Sequence, residues 1–368
     1  MKLQPSLANL YARAAELLAA DHKICLGTVL QAKGSTPQVP GASAIFTSEG
    51  LLAGTLGGGI LEKDAEEKAV VALESRRSQL YSFELEADMN SPEGAICGGE
   101  VLILLDAAPG KNKDAFVDLM RSQSKRHAGL LTTRIRQIAD QIEVERRWTE
   151  GGLTRLEQDE SLLFPDQISA DELMKREPHL LVSKRDNRPD TDGRPLPSAN
   201  GQEWLFLEPV FPLPQLVIAG AGHIGQAVAH LGFRLDFEVT VIDDRPEFAN
   251  RESLPEAKDI VVADIGEALS EFPLSSDSYV VIVTRGHQND GDALRACIKS
   301  DVAYIGMIGS RIKIALMRKQ FLEKEWATQE EWDQIHTPIG LDIQSKTVEE
   351  IAVSIAAQLV LERSRHQV

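Results

Sequence analysis

The chain has 368 residues, enough for two compact domains with a small module between them. A formal net charge of -17 repels nucleic acid and anionic membranes, a hydrophobic fraction of 43% argues against disorder, and the longest apolar runs are too short to span a bilayer. Three cysteines, Cys25, Cys97 and Cys297, form no CxxC pair, which excludes a disulfide framework or a four-cysteine zinc site; with no secretory signal in view, a reducing cytoplasm is the expected location.

Leu7, Leu10, Ala14, Leu17 and Leu18 recur at steps of three and four residues and predict an amphipathic helix over residues 1–20. Ile24 to Leu30 reads as a strand, Lys33 to Gly41 as a turn, and Ala42 to Phe46 and Leu51 to Leu56 as further strands. Gly57-Gly58-Gly59 then precedes a helix from Ile60 to Glu74, and Val101 to Asp106 is a buried-strand candidate. Ala115 to Gln123 reads as helix, residues 131–157 as small hairpins, Arg185 to Gly201 as an exposed polar loop, and Glu203 to Leu207 as a strand, after which Pro209, Pro212 and Pro214 are expected to interrupt regular structure.

From Leu216 onward short apolar strands alternate with helical segments. The strands are Leu216 to Ala219, Val239 to Ile242, Ile260 to Ala263, Tyr279 to Val283 and Val302 to Met307; the helices are Gln226 to Phe233, Asp290 to Lys299 and Ile312 to Lys324. This alternation predicts a mostly parallel sheet covered on both faces. Thr347 and Glu350 make a capping-box pattern ahead of a final helix whose inward face holds Val348, Ile351, Ala352, Ile355 and Leu359. The expected fold class is α/β: an N-terminal α+β domain over 1–110, a variable mixed region and linker over 111–208, and a C-terminal Rossmann-like parallel sheet over 213–365.

Gly220-Ala221-Gly222-His223-Ile224-Gly225 directly follows a strand and opens a helix. In such a fingerprint Gly220 permits the tight turn, Gly222 lets a pyrophosphate approach, and Gly225 lets helix and sheet pack closely, while free N–H groups at the helix start meet phosphate oxygens. His223 lies inside this loop, where its backbone matters more than its ring. Asp243, at the end of the next strand, is placed to receive a ribose hydroxyl, with Asp244 as substitute; a carboxylate there favours an NAD-like over an NADP-like ligand.

Two further loops are expected at the same sheet edge. Thr284 to Asp290 offers Arg285 for an anion and His287 for proton transfer or metal binding, while Asp290 either orients His287 or caps the next helix. Gly306 to Arg311 offers Ser310 as a helix cap, with Arg311 or Lys313 for a phosphate or an interdomain contact. In the N-terminal half, Gly57, Gly58 and Gly59 followed by Glu62 make an anion-accepting bend or a plain turn. Cys97 beside Gly98-Gly99 suits sulfur transfer, metal ligation or redox exchange if exposed, and is inert if buried. Cys25, in an apolar strand, and Cys297, in a helix, read as structural.

The N-terminal motifs Gly27-Thr28-Val29, Gly34-Ser35-Thr36-Pro37, Pro40-Gly41, Gly54 to Gly59 and Cys97-Gly98-Gly99, and the C-terminal motifs Gly220 to Gly225, Val241 to Pro246, Thr284 to His287, Tyr304 to Arg311, Pro338 to Leu341 and Glu350 to Ala352, together resemble the XdhC/CoxI family of molybdenum-enzyme accessory proteins. The resemblance implies a non-catalytic maturation chaperone instead of an enzyme in its own right. Such a protein binds molybdenum cofactor, a molybdopterin dinucleotide form included, helps its sulfuration and delivers it to an apo molybdenum hydroxylase of xanthine-dehydrogenase or aldehyde-oxidoreductase type. The resemblance also implies a cysteine desulfurase as partner and a homodimer. On this reading the nucleotide half lies over Gly220 to Gly225 and the metal-dithiolene end faces the N-terminal domain near Cys97. The chain departs from many relatives at Ile60, where they carry cysteine or histidine, and this shifts attention to Cys97. An NAD-dependent oxidoreductase is the alternative, and a nucleotide-binding interaction scaffold the third reading.

Overall fold

The computed structural model describes residues 7–85, 99–151, 172, 176–182 and 202–366, and its chain divides into two units, Met1–Pro212 and Leu213–Val368. The expected loop Arg185 to Gly201 lies outside the described residues, as does Cys97.

In the first unit, the N-terminal apolar stripe folds as α1 (Leu7–Ala19), and β1 (Cys25–Gly34), β2 (Ser43–Thr47), β3 (Gly50–Gly54), β4 (Gln79–Leu85) and β5 (Gly99–Asp106) form an antiparallel sheet in the order β3-β2-β1-β5-β4. Helix α2 (Gly59–Ser75) covers one face: Leu61, Ala65 and Ala69 interlock with Val29, Phe46, Val101 and Ile103. Its small residues on the packed side let helix and sheet approach closely. On the other side, α1 and α3 (Lys113–Ser124) join a second antiparallel sheet built from β6 (Gly129–Ile138), β7 (Gln141–Glu150), β8 (His179–Val182) and β9 (Glu203–Val210), in the order β7-β6-β9-β8. Leu30 and Leu104 of the first sheet pack with Ile135, Trp204 and Phe206 of the second, so the two share one core.

Two local expectations change here. β4 escaped the sequence reading although Tyr81, Phe83 and Leu85 alternate at period two. Pro209 does not interrupt structure: it continues β9 opposite Leu130, beyond the point where β8 stops at the His179–Leu207 pair, so only one flanking strand draws on its backbone.

The first unit also buries a charged network. Tyr11 donates to Glu208 Oε1 at 2.6 Å, and Arg146 pairs with Asp106, which further accepts from Ser78 Oγ at 3.2 Å and Ala108 N at 3.0 Å. Burial pushes the Glu208 carboxyl from 4.5 up to about 7, with the Tyr11 hydrogen bond and the Arg146 charge pulling the other way. Folded Glu208 thus holds a proton that the unfolded chain releases near 4.5. The resulting stability is complete below that pH and is lost as pH rises through about 7, a change of about 3 kcal/mol from the size of the shift. Glu208→Gln, which keeps an acceptor for Tyr11 but cannot ionise, is expected to flatten this slope in urea unfolding between pH 5 and 8. Parallel stability curves for variant and parent would remove Glu208 as its source.

The second unit is the expected parallel sheet. β10 (Gln215–Ala219), β11 (Glu238–Asp243), β12 (Asp259–Val262), β13 (Ser278–Ile282) and β14 (Tyr304–Met307) lie in the order β12-β11-β10-β13-β14. Leu216 and Ile218 pack on one face beneath α4 (His223–Arg234) and the final helix α9 (Val348–His366). Val217 and Ala219 point to the other, beneath α5 (Ile265–Glu271), α6 (His287–Cys297) and α7 (Arg311–Glu323). The short helix α8 (Gln329–Asp333) adds Trp332 to that second core. The capping box forms at α9: Thr347 N donates to Glu350 Oε2 at 3.0 Å and Glu350 N to Thr347 Oγ1 at 3.3 Å. Ile355 and Leu359 are fully buried beneath it, each contributing roughly 1.5–3 kcal/mol of apolar burial.

Candidate functional site

Strand order places the three loops expected at one sheet edge, those after β10, β13 and β14, side by side. β10 lies between β11 and β13, and Ala219 pairs with both Ile242 and Ile282 while Ile282 pairs with Met307, so the chain leaves these strands at one level. The helices after β10 and β13 cover opposite faces, which opens a crevice at the carboxyl edge where the sheet changes direction.

The three fingerprint glycines have separate physical reasons. Gly220 adopts φ +115°, and a Cβ there would lie 2.6 Å from Val283 O in the neighbouring strand's exit. At Gly225 a Cβ would be driven into the carbonyl oxygen of Gly220, so only glycine lets α4 start this close to the loop. Gly222 has nothing within 4 Å of an added Cβ and caps α4 without any side-chain hydrogen bond. Its flank is therefore open, and the first-turn N–H groups of α4 face it as a helix N-terminus that suits an anion. His223 is exposed as the first residue of that helix.

Asp243 is 1% exposed at the end of β11 and already has four donors. Oδ2 accepts from Ala221 N at 2.6 Å and Arg245 Nη2 at 2.8 Å; Oδ1 accepts from Arg245 N at 3.0 Å and Arg245 Nε at 2.8 Å. Burial pushes this carboxyl up, but the Arg245 and backbone hydrogen bonds outweigh it and hold Asp243 below its usual range. Asp244 stays exposed, its Oδ1 3.8 Å from Arg245 Nε.

The loops after β13 and β14 are joined by a carboxylate. Helix α6 starts at His287 with Gly286 as its N-cap, so Asp290 sits inside the first turns and does not cap it, a correction to that reading. Instead buried Asp290 accepts from Thr284 N at 3.2 Å and Thr284 Oγ1 at 2.6 Å, and pairs with Lys313 of α7. Ser310 caps α7, accepting from Lys313 N at 3.3 Å. Arg285, Ser310 and Arg311 are exposed at this edge, and the side chain of His287 lies outside the described part of the structure.

In the first unit, the N-terminal motifs also converge. Gly57, Gly58 and Gly59 take φ values of +131°, +71° and +58°, and Gly58 caps α2 without a side-chain hydrogen bond. Glu62 closes the bend from behind, accepting from Thr55 Oγ1 at 2.6 Å and Leu56 N at 3.0 Å. A Cβ on Gly57 would meet Pro37 Cγ at 2.8 Å, and one on Gly99 would meet Lys33 O and Ser35 O at 2.7 Å. The Gly34 to Pro37 turn thus packs closely against both the glycine triplet and Gly99, with Ile60 exposed beside the triplet. Cys25 and Cys297 are buried; burial raises both thiols, that of Cys297 to about 12, so neither supplies a thiolate. Among the described residues no group of three or more His, Cys, Asp or Glu side chains is placed to hold a metal ion, and no helix is long and apolar enough to cross a membrane.

What sequence reasoning missed is the engagement of Arg245 with Asp243 and of Lys313 with Asp290; spacing signalled only the first, two residues beyond the strand end.

The family model described as the XdhC Rossmann domain matches residues 216–359, and that of the XdhC and CoxI family matches residues 17–84. The chain is 24% identical over 361 residues to a probable xanthine dehydrogenase subunit of Bacillus subtilis (strain 168), covering 98% of this chain and 99% of that protein. It is 22% identical over 353 residues to the uncharacterized protein YqeB of Escherichia coli (strain K12), covering 96% of this chain and 46% of that one. A crystal structure described as a xanthine dehydrogenase from Bacillus halodurans shares the fold, with a TM-score of 0.71, 24% identity and 96% of each chain covered.

Proposed function

The chain belongs to the XdhC and CoxI family, and from that premise we propose that it is an accessory protein that binds molybdenum cofactor, assists its sulfuration and inserts it into a xanthine-dehydrogenase-like or aldehyde-oxidoreductase-like apoenzyme. The observation that carries the proposal is the pairing of both family segments in one chain with an open helix start at Gly222 of the kind that suits a phosphate. The residues present fit the phosphate end of such a cofactor: the first-turn N–H groups of α4 would hold it and Gly222 would admit it. When bound, the cofactor supplies a dithiolene-held metal for the client's redox chemistry. The chain's own part is to grip, orient and shield the group, with Cys97 proposed to handle sulfur. A cysteine desulfurase as sulfur donor and a homodimer complete the proposal. The occupied carboxylate of Asp243 weighs against the alternative of an NAD-dependent oxidoreductase, which would ask the same oxygens to hold a ribose diol.

Anaerobic purification followed by native mass spectrometry and cofactor extraction tests this. A molybdopterin-type ligand should co-purify, and adding the loaded protein to apoenzyme should restore its activity. Cys97→Ser is expected to keep the ligand and lose sulfur transfer. NAD-dependent turnover by protein free of molybdopterin, or loaded protein that never activates a client, would overturn the proposal.

A further inference from the structure

We infer that the crevice of the second unit takes a ligand presenting a phosphate, instead of a free ribose diol, to the end of β11, and that Arg245 sets this preference. The inference rests on the nucleotide-holding reading of the Gly220 to Gly225 loop and names the chemistry next to it.

A carboxylate offers about four lone-pair sites, and on Asp243 four N–H donors already address them. Three of these come from Arg245, whose Nε and Nη2 make a bidentate, charge-assisted fork on both oxygens. A ribose diol could reach Asp243 only by displacing that fork. The exchange would leave a buried carboxylate compensated by neutral hydroxyls and a guanidinium without its partner, an unfavourable trade in a site that is 1% exposed.

A phosphate has no such cost. A guanidinium carries five N–H donors, and the Asp243 fork uses only the Nε and one Nη2 hydrogen, so three remain for an incoming anion. Asp244 does not claim them, since its oxygen stands 3.8 Å from Nε. Arg245 is also fixed: its guanidinium lies 4.3 Å over the Phe248 ring, and its side chain remains 17% exposed. Because Arg245 Nη2 and Ala221 N donate to the same Asp243 oxygen, the cation stands beside the glycine loop and offsets the negative charge that would otherwise repel a phosphate there. An arginine at this point of the fold is a known solution for a phosphate on the ribose. The preference is therefore the reverse of the one expected from the carboxylate alone.

NAD+ and NADP+ differ only in that phosphate and serve as probes, titrated calorimetrically into the full-length protein. NADP+ should bind at least about tenfold more tightly, the scale of one charge-assisted contact. Arg245→Gln should abolish or reverse the preference, weakening NADP+ and, with the fork gone, letting the ribose diol of NAD+ reach Asp243, and Arg245→Lys, which keeps the charge but not the fork, should retain an intermediate preference. Circular dichroism and the thermal midpoint identify a variant that fails to fold, in which case the parent protein and the lysine variant decide. Equal or tighter binding of NAD+ by the parent protein, or a preference for NADP+ that survives Arg245→Gln, overturns the inference. If neither dinucleotide binds while molybdenum cofactor does, the inference falls and the proposed function stands; if cofactor binding also fails, both fall.

Discussion

Arg146→Met is expected to lower the unfolding free energy of the first unit by about 3–5 kcal/mol, the cost of leaving a buried charge without its partner. Both side chains of the Arg146–Asp106 pair are 2% exposed, so water cannot take over when the guanidinium is gone. Asp106 would keep Ser78 Oγ and Ala108 N, two neutral donors, against a full negative charge. The methionine stem preserves much of the packing that Arg146 makes over Phe116, whose ring centroid lies 5.7 Å from the guanidinium carbon, so the loss reports mainly on charge. Adding Asp106→Asn should return a large part of the stability, because the remaining polar group is then neutral. With a urea dependence of about 1–3 kcal/mol per molar, the single variant should move the first unit's midpoint by more than about 1 M. A shift below a few tenths of a molar, or a double variant no better than the single one, would mean the pair is not what stabilises this core.

Gly225→Ala is expected to cost the second unit at least about 3 kcal/mol, the upper range for forcing a group into a packed position. The atom in the way is the Gly220 carbonyl oxygen, which belongs to the tight turn and has no rotamer to yield. Relief requires α4 to move off the loop, which also moves the N–H groups that would face a phosphate. Gly222→Ala separates the two effects. Nothing lies within 4 Å of its added methyl, and its φ of -65° suits any residue, so the fold should change by less than about 1 kcal/mol. Phosphate-bearing ligands should nevertheless bind more weakly because the methyl occupies their approach. Comparable stability losses in the two variants would contradict these assigned roles.

The parallel sheet was readable because its four strands other than the exposed edge strand β12 are short, doubly buried, largely apolar runs ending in a polar or glycine-rich turn. Val217, Val241 and Val281 announce buried strands without any alternating pattern. β4 was harder: Gln79 dilutes its apolar side, and its support comes from pairing with β5, whose first partner, Gly99, lies 14 positions beyond Leu85. The fingerprint loop was equally plain, since glycine requirements at Gly220 and Gly225 are local. Side-chain engagement was not. Tyr11 and Glu208 stand 197 positions apart, and Asp290 and Lys313 stand 23 apart, so no spacing rule joins them. For Arg245, adjacency to Asp243 was visible while the rotamer that turns it back onto the carboxylate was not.

The Asp290–Lys313 pair also bears on how this unit tolerates recombination. Asp290 belongs to the βα segment of β13 and α6, and Lys313 to the following segment of β14 and α7. A chimera joined between Cys297 and Tyr304, in an otherwise attractive surface connection, would inherit one member of the pair from each parent. Unless both parents carry the acid and the base, a carboxylate with no solvent access is stranded. The last two βα segments are thus one inheritable block, with its boundary before β13.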